Sequence, residues 1–519
     1  MAYSGAIAAG SIPTAEIGAE ILKNGGNAID ALVGACFGVA AGEPSVTSLA
    51  GGGMLVYRNS DSGQAQVCDF FANAPHLAQS ANPALEFYGV ELNYGPTTQT
   101  FHIGAGSAAT PGVIPGLCKA LERWGSMPLS EVIKPACRVL REGAILGPKQ
   151  AAIAEFLEPI LTEHPQVAKL FTIQGKYLVG GSLFKLPALA DTLEAMALEG
   201  WSRYYKGALV PEILKRFGPD SGGLLTARDF ETYAVNFSQP LSLRYSNASV
   251  FCPGPPAAGG PMIGYMLGLL SNTSAKSFQD EETRVRSMCA AMALTDKVRH
   301  ENPTALVAEP TMDAKTSFEF IRKSALPQVP STDAGPPSTT HISVIDAQGN
   351  AAAATFSHGE SNGRAVGDSG IMMNNLLGEA DLLPGGFGTA PTGLRLSTMM
   401  TPTIALTDDG ALYALGTGGA NRIRTSITQV LCNLLTQGLD PVAAVNAPRM
   451  HFENGTLNAE VFHREDEGKG LEALAPAQWV PFQTPNLYFG GINLVERGPE
   501  GAFNGLGDAR RGGSFIVVD

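Results

Sequence analysis

The stretch Ser338-Thr339-Thr340-His341-Ile342-Ser343-Val344-Ile345-Asp346 combines a candidate hydroxyl nucleophile with the alternation of a strand. Asp346 to Asn350 has turn chemistry and the small-residue run Ala351 to Ser357 follows, so the pattern predicts a β-hairpin. With residues 346–350 as the loop, Ile345 faces Ala351 and Thr339 lies opposite Ser357, which brings two hydroxyls to one end. Upstream, Ser331 to Ser338 is polar and proline-rich, a loose segment running straight into a strand. A chain that cuts itself before Thr339 would free an α-amino group beside a hydroxyl on the same residue. Such an amine has an intrinsic pKa of about 7.7–8.0 and can take the hydroxyl proton as that oxygen attacks. One residue would then serve as nucleophile and base. By itself the stretch fits equally an ordinary exposed hairpin behind a linker.

The elements around it must supply the rest. From Ile12 the spacing of Ile17, Ile21 and Leu22 predicts a helix stopped at Asn24-Gly25-Gly26, and Asn27 opens a second, very apolar helix through Ala40. Gly51-Gly52-Gly53 precedes a strand over Met54 to Arg58. The run lacks the Lys-Ser/Thr and the strand-loop-helix order of a phosphate loop, so close backbone packing is its reading. Gln64 to Pro75 hold a strand ending over Asp69-Phe70-Phe71-Ala72-Asn73-Ala74-Pro75, and helices follow at Leu117–Trp124, Leu129–Gly143, Gln150–His164 and Ala188–Glu199. Leu241–Tyr245 and Ala248–Cys252 read as strands, and Met262–Leu270, Thr283–Val298 and Thr316–Arg322 as helices. Beyond the hairpin come strands at Met400–Leu406 and Leu412–Leu415, a helix from Arg422 to Leu435, and a last strand at Ser514–Val518. Strands toward both ends with helices between predict sheets covered by helices on their outer faces.

Composition narrows the class. The 519 residues are 44% hydrophobic and 16% charged, with 61 glycines and 35 prolines, which describes a globular chain rich in tight turns. A net charge of −13 without any Lys/Arg run argues against a nucleic-acid partner. Seven scattered cysteines without a C-x-x-C pair predict reduced structural thiols and a cytoplasmic protein. The start shows no charged n-region with a long apolar run, and no segment offers a membrane span, so no membrane partner is expected. The eight histidines show no ligand spacing, so neither a metal nor another cofactor is expected. His341 and His358 are read as hydrogen-bonded structural histidines.

Gly25 to Ala31, the Gly51–Gly53 run, Pro255 to Gly260, Thr339 to Asp346, Ser369 to Asn375 and Asp508 to Arg511 form an ordered set of motifs. Together they resemble the γ-glutamyltranspeptidase family of N-terminal-nucleophile hydrolases over essentially the whole chain. The resemblance implies an α+β fold, a four-layer αββα sandwich. It further implies self-cleavage before Thr339, with residues 1–338 and 339–519 remaining one structural unit as a heterodimer. It places the nucleophile on Thr339, a hydroxyl hydrogen-bonded to it on Ser357, and an oxyanion hole at the N–H groups of Gly419 and Ala420.

Substrate recognition departs from that pattern. Phe71 stands where relatives that bind γ-glutamyl groups carry an arginine for the α-carboxylate, Gly359 replaces a clamp asparagine, and Leu376 replaces a frequent glutamine. Glu379 keeps the acidic position that meets the α-amino group, and Ser397-Thr398 the position of the serine pair. A carboxylate bound without its guanidinium loses a charged hydrogen bond worth roughly 1.5–3 kcal/mol, besides its desolvation. Arg395 and Arg364 could compensate but are read as solvated surface residues. The 17 residues between Glu379 and Ser397 look shorter than in lid-bearing relatives, which would open the site to water and bulky substrates. The expectation is an amide hydrolase or acyltransferase acting on a small-molecule or peptide-like donor that is not a standard γ-glutamyl compound. Glutathione-type activity is the alternative, and an inactive relative with a binding role the third.

Overall fold

The computed structural model describes residues 3–93, 98–173, 175–271, 278–301, 338–383, 385–460 and 478–519. The proposed loose segment 331–337 and the helix expected at Thr316–Arg322 lie outside them. Two antiparallel sheets form the centre. The first has seven strands in the order Asn236–Ser238, Ala65–Phe70, Gly52–Arg58, Ala351–Ser357, Thr340–Asp346, Gly5–Ala9 and Ser514–Val518. The second has six: Leu241–Tyr245, Ala248–Cys252, Thr403–Thr407, Leu412–Gly416, Asn493–Arg497 and Phe503–Gly507.

Side-chain alternation sorts the core into layers. Ile342, Val344, Ala352, Ala354 and Phe356 point from the hairpin into a core shared with the helices Ile12–Lys23, Ala28–Gly38 and Val113–Trp124. Ala351 and Ala353 point the other way, onto Ile404, Leu412, Ala414 and Val495 of the second sheet. On that sheet's outer face Val250, Ala405, Leu415 and Leu494 pack under the helices Gly259–Leu270 and Arg422–Leu435. This is the expected αββα sandwich.

The hairpin register is the expected one, with Ile345 paired to Ala351 and Thr340 to Phe356. Asp346 and Asn350 close its turn through N–H to carbonyl and N–H to carboxylate bonds of 3.0 and 2.9 Å. Asp346 also accepts the N–H of Ala28 at 3.0 Å, tying the turn to a helix N-terminus, where negative charge is favoured. The exposed-hairpin alternative fails because both hairpin strands are buried along their whole length, having a sheet on one face and helices on the other. Polar alternation there means the inter-sheet face, where His341 meets Thr355 and Ser343 at 2.8 Å each.

Most expected elements form, with shifts at their ends. The helix Ala28–Gly38 opens on an Asn27 capping box with Asp30. The helix expected over 129–143 is broken at Ile133, before Pro135, into Leu129–Val132 and Lys134–Glu142, and that over 150–164 breaks at Leu157, before Pro159. The strand expected from Met400 begins at Thr403. The three glycines pack as read: a Cβ on Gly51 would lie 2.1 Å from the Ser357 carbonyl oxygen, and one on Gly53 2.5 Å from Phe356 Cβ. All seven cysteines are buried and free.

Candidate active site

Thr339 lies just before the hairpin strand Thr340–Asp346, half-buried, in the lining of an open cleft. Ser357, Phe71, Leu376, Glu379, Thr398 and Ala420 line the same cleft, so most of the residues singled out in the sequence converge. They come from distant places: Phe71 follows one strand of the first sheet, Ser357 ends another two places along it, and Ala420 precedes the helix Arg422–Leu435.

In the continuous chain the Ser357 hydroxyl donates to the Ser338 carbonyl, the acyl group of the Ser338–Thr339 bond, and accepts the N–H of Gly359 at 2.9 Å. The hydroxyl expected to bond the nucleophile is therefore engaged by the carbonyl next to it. Arg511 donates to the Thr339 carbonyl at 3.1 Å, and Thr340 Oγ1 donates to buried Glu43 at 2.6 Å. These bonds hold the backbone on both sides of the Ser338–Thr339 peptide.

Gly418, Gly419 and Ala420 form the turn between the strand Leu412–Gly416 and the helix. A Cβ on Gly418 would lie 1.9 Å from the Thr339 carbonyl oxygen, so only glycine lets this turn approach. Gly419 has φ +124°, and Ala420 takes φ +46°, a left-handed conformation that costs an L-residue energy and clusters at functional sites. Among the described residues neither N–H donates a hydrogen bond.

The recognition positions are mostly apolar. Phe71 is buried, its N–H held by Asp69 at 2.9 Å and its carbonyl by Tyr233 at 2.8 Å and by the Arg395 guanidinium. Arg395 is thus no surface residue: it stacks 4.8 Å from the Tyr233 ring centre and pairs with Asp69 at 3.3 Å. Arg364 is likewise taken up by Glu86, through bonds that include one of 2.7 Å. Both were expected in solvent because nothing near them in sequence carries their partners. Gly359 has φ +69°, and a Cβ there would meet Asn375 Oδ1 and Glu379 Oε1, each at 2.2 Å. The glycine makes room for the Glu379 carboxylate. Ser397 bonds the Pro256 carbonyl at 2.9 Å and lies outside the cleft lining, whereas Thr398 lies within it.

Sequence reasoning missed three charged groups, Glu43, Glu360 and Arg511. Burial raises Glu43 to a pKa of about 7 against the lowering effect of Thr340, Thr14, Ser11 and Arg511. Burial also raises Glu360 to about 7, although the Ser338 hydroxyl donates to it and Arg511 and Arg422 attract it. Arg511 is lowered to about 9, first by burial and then by Arg422. Glu379 is held well above the carboxylate range by burial and by its neighbours Glu360 and Asp381. The available signal was the lone acid: Glu43 and Glu360 each stand in stretches otherwise apolar or uncharged, where a carboxylate demands a partner. His341 is a structural histidine as expected, kept neutral by burial at about 3. His358 differs, since its ring nitrogens lack a well-formed hydrogen bond and meet the Val46 backbone only weakly.

The sequence model described as Gamma-glutamyltranspeptidase matches residues 14–518. The chain belongs to the γ-glutamyltranspeptidase family. It is 29% identical to the glutathione hydrolase proenzyme of Escherichia coli (strain K12) over 98% of its length and 91% of that protein's. It is also 29% identical to the acylase ACY 1 proenzyme of Pseudomonas sp. (strain V22), over 96% and 91%. In structure it is similar to the cephalosporin acylase from Bacillus halodurans, with a TM-score of 0.81 at 22% identity over 99% of this chain and 96% of that one. The protein is an enzyme of the γ-glutamyltranspeptidase family, of its hydrolase and acylase class.

Proposed function

We propose that this γ-glutamyltranspeptidase-family enzyme cuts itself before Thr339 and then uses Thr339 as an N-terminal nucleophile on an amide donor that is not a standard γ-glutamyl compound. In the first step Thr339 Oγ1 attacks the Ser338 carbonyl carbon, the C–N bond breaks, and the hydroxyl proton passes to the departing amine. Water then hydrolyses the resulting ester, leaving a Ser338 carboxylate and a free Thr339 amine. In turnover that amine takes the hydroxyl proton as Oγ1 attacks the donor amide and passes it to the leaving amine. The acyl-enzyme is released to water or to an acceptor amine. The N–H groups of Gly419 and Ala420 receive the oxyanion, and the Ser357 hydroxyl, freed from the Ser338 carbonyl, turns to the nucleophile.

The observation that carries the donor reading is the lining of the cleft, where Phe71 and Leu376 stand and, among the described lining residues, there is no arginine, lysine or histidine. An α-carboxylate would be desolvated there without a charged partner. A short side-chain acyl group or a small acid amide fits better. A second reading, glutathione-type hydrolysis, is favoured by Glu379 standing in the cleft and by the names of the relatives.

Electrophoresis and mass measurement test the processing: the wild-type protein runs as residues 1–338 and 339–519, and Thr339→Ala stays a single chain. If the alanine variant splits at the same bond, the nucleophile assignment fails. Hydrolysis of a γ-glutamyl anilide beside simple acyl anilides tests the donor, and a strong γ-glutamyl preference decides for the second reading.

A further inference from the structure

The first acyl group that Thr339 carries under the proposed function is the protein's own Ser338. An ester of Ser338 on Thr339 Oγ1 has the same bonding as the acyl-enzyme formed from a donor. The surroundings of Ser338 in the continuous chain are therefore a picture of an occupied donor site. Ser338 is buried, and its hydroxyl, on the β-carbon from the carbonyl, donates to Glu360. Glu360 lines the cleft, is only 3% exposed, and its second oxygen, Oε2, has no hydrogen-bond partner among the described residues. Glu379 lines the same wall, and its Oε1 is also buried without a partner.

Arg511 and Arg422 attract Glu360 through their charge, while their guanidinium N–H groups bond elsewhere, Arg511 to the Thr339 carbonyl and Arg422 to the Tyr488 carbonyl, each at 3.1 Å. Glu379 feels only carboxylates, Glu360 and then Asp381, and Asp381 shares its field with Arg299. A neutral hydroxyl such as that of Ser338 satisfies one carboxylate oxygen. An ammonium brings three donors and a compensating charge to the pair.

Resting on the proposed function, we infer that Glu360, assisted by Glu379, selects donors whose acyl chain bears a cationic nitrogen at or near the β-carbon and no carboxylate. Such donors are amides of β-amino acids or their short homologues. Glu360 is then a specificity-determining residue, and Phe71 and Leu376 cover the methylenes of the acyl chain.

Three anilides of matched size test this on the self-cleaved wild-type enzyme: β-alanyl (cationic), butyryl (neutral, of the same shape) and succinyl (anionic). The expected order of kcat/KM is β-alanyl at least tenfold above butyryl, with succinyl lowest. In Glu360→Gln the β-alanyl to butyryl ratio falls at least tenfold. Should that variant fail to self-cleave, Glu379→Gln is measured in its place and the ratio falls in the same direction. A self-cleaved wild-type enzyme that prefers butyryl or succinyl, or turns over none of the three, overturns the inference while leaving the reading of Thr339 intact. A ratio unchanged in the cleaved variants overturns it too. A wild-type chain that stays uncut and inert removes the proposed function itself.

Discussion

At the scale of single residues, the site is built from buried acids. Glu43 accepts hydrogen bonds from Thr340 at 2.6 Å and Thr14 at 3.1 Å, so a carboxyl group in the core fixes the residue next to the proposed nucleophile. Its pKa is about 7 in the fold against an ordinary 4.5, so the folded chain holds that proton more tightly than the unfolded one. The stability tied to this proton is therefore complete below pH ~4.5 and is lost as the pH rises to about 7, by roughly 3 kcal/mol for such a shift. Glu43→Gln keeps a side-chain oxygen to accept the Thr340 hydroxyl and removes that loss. Urea unfolding should show the variant close to wild type at pH 5 and more stable by about 1–3 kcal/mol at pH 8. An equal stability difference at both values would mean that Glu43 does not titrate in this range. Legibility at this scale was uneven. Thr339, Ser357 and Ala420 could be located because a hairpin register and a motif order fix them. Arg395 could not, because its partners Asp69 and Tyr233 lie far from it in the chain.

At the scale of elements, the hairpin Thr340–Ser357 was readable to the residue because period-two alternation and one turn determine a register completely. The strand Gly5–Ala9 was not, since five small or apolar residues inside a sheet show no alternation. Nor was the hairpin Tyr88–Asn93 with Thr98–Ile103, which brings Thr100 and Phe101 to the cleft from a polar, irregular stretch. The glycine run supports the hairpin from below. Gly51→Ala would push a methyl group onto the carbonyl of Ser357, backbone that cannot give way cheaply. The variant should be less stable by about 1–3 kcal/mol and should self-cleave more slowly, read by denaturant melts and by the fraction cut over time. Wild-type stability together with wild-type cleavage would show that the strand end moves freely.

At the scale of the whole molecule, the proposed cut at Thr339 divides the sequence but not the sandwich. The first sheet takes four strands from residues before Thr339 and three from residues after it, and the two sets are interleaved. Gly5–Ala9 is hydrogen-bonded on one side to Thr340–Asp346 and on the other to Ser514–Val518. The two pieces should therefore co-elute as one species in gel filtration and part only in denaturant. Two separate peaks under native conditions would contradict this pairing. The layering itself was legible from the order of helices and strands, whereas the second sheet's far strands, Asn493–Arg497 and Phe503–Gly507, carry too many glycine and polar residues to stand out.

The place of the last strand has a consequence for timing. The strand Gly5–Ala9 sits between two strands that come much later in the chain, Thr340–Asp346 and Ser514–Val518. Pairings across such a span are slow to form. Arg511, which holds the Thr339 carbonyl, follows it by 172 residues. Under the proposed self-cleavage, the bond before Thr339 is therefore held for cutting only once Arg511 and the strand Ser514–Val518 have docked.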